Sequence, residues 1–358
     1  MIIRSVTLHI TDPGKISLEA DRLSNMVKIV DDKGYRVWSK RITLPPLNSQ
    51  GELAKVCLEL KRSINILKGV FVSAFNIDAD SNIEIDDLVK CMEDLGFAFS
   101  SILVKDEEDV EDAYEKISRF YSRSGVDLHT RIALIYGSRI LTPYFPASAS
   151  ITEETSFTVA LRYVADFEDL VIKKGDVESL GKLLEELEEI LSNVSIDAGV
   201  KYDGIDLSLS PWMEESVASI VERSSGTEIP MPGTMAAIRR INETIASLSR
   251  RVKSTGYNEL MLPVEEDNVL KERARQGKIA LKDLIAFSTI CVAGVDMVVL
   301  PREHVLSGRI LRNIIQDLLA ISEAKGKPIG MRLILASGSP GDVVDLGRFG
   351  YASIIRVS

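Results

Sequence analysis

Apolar runs that end at a proline recur three times in the second half of the chain. Each run follows an acidic residue, and the three segments occupy residues 206–211, 259–263 and 296–301. Short runs of this kind are typical of β-strands, and proline stops a strand because it has no N–H to donate to the sheet. The pattern predicts three parallel strands whose carboxyl ends open onto polar loops. Ligands of α/β proteins bind at that edge.

Other apolar segments predict six strands in the first half of the chain and two near its end. They span residues 2–10, 35–44, 69–76, 97–104, 131–136, 156–164, 331–335 and 353–357. Apolar residues spaced three and four apart predict helices between most strands. These helices span residues 107–121, 177–191, 234–252, 268–275 and 307–325. Ten to eleven strands alternating with helices predict an α/β fold, as one large domain or two smaller ones.

Four residues carry helix-end signals. Asp176 and Asp267 are predicted N-caps, and Gly326 is predicted to end the last long helix. Ser210, followed by Pro211, predicts one further helix start.

Composition and charge narrow the class of protein. The 358 residues are 45% hydrophobic and 27% charged, with a formal net charge of −10, which is typical of a globular protein with a large core. The acidic balance and the lack of basic stripes argue against nucleic-acid or anionic-lipid partners. Neither a signal peptide nor a membrane-length apolar run is recognisable, so we expect a cytoplasmic protein without membrane contact.

The three cysteines are Cys57, Cys91 and Cys291. Their odd number and wide spacing predict neither a disulfide framework nor a zinc site, and favour a reducing compartment.

Several blocks of the second half resemble the DUF711 family, also called UPF0210, whose function is uncharacterised. The resemblance begins with the central block at residues 204–211, which leads into 215–222 and 232–237. It continues in the family's order through residues 256–267, 291–301 and 326–333, and residues 3–8 agree with the family's start.

This resemblance implies a pyruvate formate-lyase-like barrel. Ten strands would form two parallel five-stranded halves with helices outside, as a single domain over residues 1–358 with halves at about 1–196 and 197–358. Some bacterial relatives are encoded beside small ACT-domain proteins, so the resemblance also implies such a partner. Residues 292–293, 302–303 and 338–342 depart from the family pattern at the expected strand ends, which predicts a different ligand.

Acidic residues near the predicted strand ends are the first candidates for chemistry. Glu265 and Asp296 are candidate acid–base catalysts, and Glu265 with Asp267 is a candidate site for a divalent cation such as Mg²⁺. The alternative for Asp267 is the N-cap role. Period-two spacing puts Asp206, Ser208 and Ser210 on one strand face, either as ligand contacts or as a satisfied polar network.

Cys291 is a candidate nucleophile, and the group that would activate its thiol is Arg302 or His304 across one strand, or His9 or His129 from elsewhere in the chain. The alternative is an inert buried cysteine.

A candidate anion site combines the backbone and hydroxyl of Gly233 and Thr234 at a helix start with Arg332 from a nearby strand. The alternative is a plain helix start. The irregular segment 143–150 is a candidate functional loop or lid.

These features favour an enzyme, or a degenerate enzyme, that acts on a small anionic metabolite at the barrel mouth. The alternative is a non-catalytic ligand-binding or regulatory protein that works through a partner. The sequence does not decide whether the protein is catalytic. We expect a homo-oligomer, the usual state of cytoplasmic proteins of this type.

Overall fold

The computed structural model describes residues 1–358 and has a mixed α/β architecture. Ten strands form one large, mostly parallel sheet, and two further strands pair separately. The strands are β1 (Ile2–His9), β2 (Lys40–Thr43), β3 (Val70–Asp78), β4 (Ala98–Val104), β5 (Ile132–Tyr136), β6 (Ser156–Arg162), β7 (Lys201–Asp206), β8 (Met261–Pro263), β9 (Ala293–Pro301), β10 (Ile329–Ala336), β11 (Val343–Asp345) and β12 (Tyr351–Ser353).

Helices connect most of these strands. They are α1 (Ile16–Asp32), α2 (Gln50–Arg62), α3 (Ile85–Asp94), α4 (Asp109–Arg123), α5 (Val126–His129), α6 (Val164–Phe167), α7 (Val177–Ala198), α8 (Val217–Ser225), α9 (Thr234–Ser249), α10 (Asn268–Arg275), α11 (Leu281–Ser288), α12 (Arg302–Leu306) and α13 (Ile310–Lys325). No helix combines the length and the apolar character needed to cross a membrane.

The chain divides into two compact units, each assembled from three separated stretches. The first unit comprises Met1–Ser101, Arg139–Leu209 and Thr244–Asn258. The second comprises Ile102–Ser138, Ser210–Glu243 and Glu259–Ser358.

In the first unit the strand order is β7-β6-β1-β2-β3. The pairs are parallel except β1 with β6, in which His9 of β1 lies opposite Ser156. His9 also pairs with Thr43 of β2. All three side chains are buried, so one face of this sheet carries a polar layer inside the protein.

In the second unit the order is β5-β10-β9-β8, with β5 antiparallel to β10 and the other pairs parallel. A bulge interrupts the β9–β10 pairing after Asp296, which pairs with Arg332. Met297 at the bulge has a positive φ of 50°. A bulge re-aims the side chains beside it, and here it sets Asp296 next to Arg332. Beyond the bulge, an apolar cluster that includes Val299, Ile334 and Phe349 fills the face.

The strand–proline prediction is confirmed for two of its three segments. β8 ends at Pro263 and β9 ends at Pro301, and the two strands are parallel neighbours. The prediction is wrong for the first segment, because β7 ends at Asp206 and pairs with β6. Asp206 accepts hydrogen bonds from the backbone and hydroxyl of Ser208, which turns the chain out of the strand before Pro211.

Three of the four helix-end predictions are confirmed. Asp176 and Asp267 accept backbone hydrogen bonds as N-caps, and Gly326 ends α13 in the left-handed conformation. Ser210 is not an N-cap, because α8 begins at Val217 and Ser216 caps it.

Near the end of the chain the predicted strand 353–357 is misplaced, since β12 covers Tyr351–Ser353. The cysteine prediction is also corrected. Cys57 of α2 and Cys91 of α3 form a disulfide with their Cα atoms 5.9 Å apart, and Cys291 is free.

Candidate functional site

Glu265 is the buried acid with the least support from its surroundings. It lies in a single 3₁₀ turn, Val264–Glu266, directly after β8. The side chain is 1% exposed, and neither carboxylate oxygen has a hydrogen-bond partner. The nearest cation is Lys271, with Nζ 3.8 Å from Oε2. Burial raises the pKa of Glu265 to about 8, and the Lys271 charge acts against that shift. The carboxyl group can therefore give up and take back a proton near neutral pH.

Lys271 reaches this position from the first turn of α10. Its Nζ donates to the carbonyl oxygen of Phe349 at 2.5 Å, and its side chain is 17% exposed. Gly350 follows Phe349 and has a φ of +74°, and a Cβ built there would lie 3.8 Å from Nζ. Glycine therefore places no side-chain atom in contact with the amine on that side.

Arg332 joins two acids beside Glu265. Its Nε and Nη2 donate to the two oxygens of Asp296 at 2.6 and 3.0 Å, and Nη2 also donates to Glu266 at 2.9 Å. A weaker contact of 3.4 Å joins Nη1 to the carbonyl oxygen of Thr130. The sequence-predicted anion anchor thus holds two carboxylates of its own chain, in the bidentate geometry that suits arginine.

Basic residues reach from this cluster to solvent. Arg348 has exposed surface. Partial burial of its guanidinium lowers its pKa, and the charge of Glu266 acts against that shift. Trp212 stacks edge-on against Phe349 with ring centroids 6.0 Å apart. Arg348, Trp212 and Lys271 each contact the buried Phe349 and are themselves exposed or partly exposed, and we call these three residues the rim.

Two strained backbone positions adjoin the cluster. Met213 has a φ of 53°, and its N–H donates to the Glu266 carbonyl at 2.7 Å. Met297, with a φ of 50°, follows Asp296. Non-glycine residues adopt this conformation at a cost of about 1–3 kcal/mol, and such strain concentrates at functional sites.

Asp267 uses both of its oxygens within the protein. Oδ1 accepts from the Ser216 hydroxyl and from the first amides of α10, and Oδ2 accepts from the Ala218 amide. The acid therefore ties the starts of α8 and α10 together. The structure has no group of three or more His, Cys, Asp or Glu side chains placed to hold a metal ion. Magnesium at Glu265 and Asp267 stays a prediction.

Asp206 lies in the first unit and is fully buried. Five donors reach its carboxylate, from Thr142, Ser208, Tyr257 and Asn258. This arrangement is the satisfied polar network that the sequence left open as an alternative. Ser208 belongs to that network, whereas Ser210 is a buried residue of the second unit.

Cys291 lies just before the amino end of β9 and is fully buried. Burial raises the pKa of its thiol to about 12, so it is protonated at neutral pH. Arg302 and His304 follow the other end of β9, a nine-residue strand. At about 3.3 Å per residue they are roughly 30 Å away, too far to activate the thiol.

The donors of the candidate anion site at the start of α9 are used in hydrogen bonds within the chain. The hydroxyl and amide of Thr234 both donate to the Met231 carbonyl, at 2.7 and 3.1 Å. Gly233, with a φ of +105°, precedes it at the surface. Arg332 binds Asp296 and Glu266 instead.

The segment 143–150 lies over the polar face of the first unit. The Pro143 carbonyl accepts from Thr7 and Arg41, and the Ser148 carbonyl accepts from Ser73. Most of the segment is buried, so these bonds fasten it to the sheet.

Lys271 was not found from the sequence. It looks like an ordinary surface residue there, within a polar helix. The only signal was indirect, since the N-cap Asp267 predicts α10 and α10 carries Lys271.

The protein is thus a mixed α/β protein in which acidic and basic side chains cluster around the turn that follows β8. A family model described as "Uncharacterised ACR (DUF711)" matches residues 4–347. The chain belongs to this family.

Individual relatives carry the name UPF0210. The chain is 26% identical to a UPF0210 protein of Sulfurisphaera tokodaii over an alignment of 405 residues, which covers 96% of the chain and 87% of the relative. It is 31% identical over 171 residues to one of Pyrobaculum aerophilum, with 46% of the chain and 38% of the relative covered. A Methanopyrus kandleri relative is 35% identical over 166 residues, with 45% and 36% covered. In the latter two alignments the chain spans less than half the length of the relative.

Proposed function

We propose that this protein is an enzyme that acts on a small anionic metabolite by acid–base chemistry, with Glu265 as the proton-transfer group. One observation carries the proposal. Glu265 is a buried carboxyl group with no hydrogen-bond partner on either oxygen, yet it lies within 3.8 Å of a partly exposed lysine. Burying an unsatisfied acid destabilises a fold, so a functional role explains why the protein has one here.

The surrounding charges support an anionic substrate. Arg348, Lys271 and Arg332 bring three positive charges to this region, against the two negative charges of Asp296 and Glu266. With Glu265 protonated, the sum of these charges is positive and favours a small anion. The ten-stranded barrel that the family resemblance implies would place this rim at its mouth, and that closure stays a prediction.

Proton exchange with solvent tests the proposal without knowledge of the full reaction. The protein is incubated in D₂O with a panel of small carboxylates and phosphate esters, and loss of C–H signals is followed by proton NMR. We expect exchange for at least one compound, reduced about 100-fold or more in Glu265→Gln. Glu303→Gln, which changes an exposed acid of α12, is the matched control. Equal exchange in wild type and Glu265→Gln would exclude the proposed role.

The second candidate is a non-catalytic binder of the same class of ligand. The pairing of Arg332 with two acids and the protonated state of Cys291 favour it, because both side chains then serve structure. Binding of a panel compound by calorimetry, with no exchange of any compound, would select this function.

A further inference from the structure

We infer that Lys271 forms an imine with the carbonyl group of a 2-oxo acid, with Glu265 as the proton donor for loss of water. This inference rests on the proposed function and names its substrate class. It adds a second catalytic residue to the site.

The geometry that points to an imine is the position of the Lys271 amine beside Glu265, an acid whose carboxylate oxygens have no hydrogen-bond partner. Lys271 Nζ has a single close acceptor, the Phe349 carbonyl, and stands 3.8 Å from Glu265 Oε2, beyond hydrogen-bond distance. The two side chains are neighbours without being locked together. A small molecule bound at Nζ therefore lies within reach of the carboxyl group.

Access to the amine differs from access to the acid. The Lys271 side chain is 17% exposed and Glu265 is almost fully buried. Gly350 brings no side chain near Nζ, and its positive φ favours glycine. A carbonyl compound can therefore approach the amine from solvent, while the acid stays shielded from bulk water.

The chemistry balances with these two groups alone. The Lys271 ammonium first releases one proton to solvent, which leaves a neutral amine beside the protonated Glu265. The Nζ lone pair then forms a bond to the carbonyl carbon, and the C=O π pair moves to oxygen. A proton passes from nitrogen to that oxygen. Glu265 then donates its proton, the C–O bond breaks, water leaves, and the nitrogen pair forms the C=N bond. The products are a protonated imine, one water and the Glu265 carboxylate.

Arg348 explains why the substrate would carry a carboxylate beside the carbonyl. It immediately precedes Phe349, whose carbonyl oxygen accepts a hydrogen bond from Lys271 Nζ, and the guanidinium of this exposed residue lies 4.7 Å from the centre of the Phe349 ring. A guanidinium that shares a contact residue with the amine favours a carbonyl compound with an adjacent anionic group. That combination is a 2-oxo acid.

Reductive trapping tests the inference. The full-length protein is incubated with millimolar glyoxylate, pyruvate or 2-oxoglutarate and treated with sodium borohydride, which reduces an imine to a stable secondary amine. Intact mass and peptide mapping then locate the adduct. We expect one saturable adduct on the peptide that contains Lys271, at least tenfold weaker in Lys271→Arg, and slower to form in Glu265→Gln.

Lys278→Met is the matched control, since this exposed lysine follows α10 and pairs with Glu228 at 2.6 Å. Its trapping should equal that of wild type. Thermal unfolding of each variant shows whether it is folded. Adducts spread over many lysines, or unchanged trapping in folded Lys271→Arg, would overturn the inference. If trapping fails while Glu265-dependent deuterium exchange persists, the imine is excluded and the proposed function stands.

Discussion

Arg332 binds Asp296 through two hydrogen bonds across adjacent parallel strands, and the same guanidinium donates a third to Glu266. All three side chains are largely buried. Replacing Arg332 by Met would leave two buried acids without their counter-ion. We expect a loss of about 3–5 kcal/mol in the free energy of unfolding, measured by urea denaturation. Arg275→Met, which removes an exposed pair with Glu272, should change it by less than about 1 kcal/mol. Equal losses in both variants would contradict this account.

Glu265 makes stability depend on pH. Its folded pKa of about 8 lies above the ordinary value of 4.5, so the folded state holds the proton more tightly than the unfolded state. The stabilisation is complete below pH 4.5 and is lost as the pH rises through 8, by about 1.4 kcal/mol per pH unit within that window. Glu265→Gln should flatten this fall in urea denaturation at pH 5, 6.5 and 8, whereas Glu303→Gln should not. A parallel fall in Glu265→Gln would show that the acid is not the cause.

His9 also makes the stability of the fold depend on pH, but at acidic pH and in the opposite direction to Glu265. Burial lowers its pKa to about 3, against the weaker influence of Asp203. The unfolded state therefore binds more protons between pH 6.5 and 3, and this histidine destabilises the fold as the pH falls through that range. Replacement by Gln should make acid unfolding shallower, as followed by circular dichroism. Replacement of the exposed His304 by Gln should leave the acid transition unchanged.

Gly256 lies against the Asp206 carboxylate in the first unit. A Cβ at this position would overlap Asp206 Oδ2, and φ is +77°. Gly277 has a similar φ of +67° with no atom within 4 Å of a Cβ. Gly277→Ala should lower the free energy of unfolding by about 1–2 kcal/mol, because alanine is strained at a positive φ. Gly256→Ala should lower it clearly more, because the five hydrogen bonds to the Asp206 carboxylate must also shift. Thermal unfolding of the two variants measures the difference, and equal costs would show that the network tolerates the methyl group.

The disulfide between Cys57 and Cys91 joins two helices across 34 residues. Closing a loop of this length stabilises a fold by about 4 kcal/mol through the unfolded state. Cys57→Ser should lower the free energy of unfolding by a comparable amount. The control variant Cys291→Ser should leave the Cys57–Cys91 disulfide intact. Alkylation followed by mass spectrometry, with and without reductant, counts the free thiols. Three alkylated cysteines in unreduced, unfolded protein would exclude the bond.

Local signals predicted many of the elements and part of the site. Pro263 and Pro301 mark strand ends because proline lacks an N–H, and Asp267 marks a helix start because its carboxylate accepts the first amides. The position of Glu265 followed directly from Pro263. These features depend on a few neighbouring residues, so they can be read from the chain.

The remaining parts depend on distant residues. Asp296 and Arg332 were each candidates, but the bulge at Met297 that sets them side by side depends on strand register. Cys57 and Cys91 meet only because α2 and α3 lie together. Asp206 was predicted on a strand face with Ser208, and its side chain instead turns the chain through local hydrogen bonds.

The first unit is completed by residues that appear late in the chain. The amides of Tyr257 and Asn258, which bind the Asp206 carboxylate, lie 51 and 52 positions after it. During synthesis on a ribosome, Asp206 emerges well before these donors exist, and in that interval its carboxylate lacks two of its partners. The first unit therefore reaches its final hydrogen bonding only after two of the second unit's three stretches, Ile102–Ser138 and Ser210–Glu243, have been made. Folding during translation should be delayed for this unit, even though its first strand is among the earliest residues to leave the ribosome.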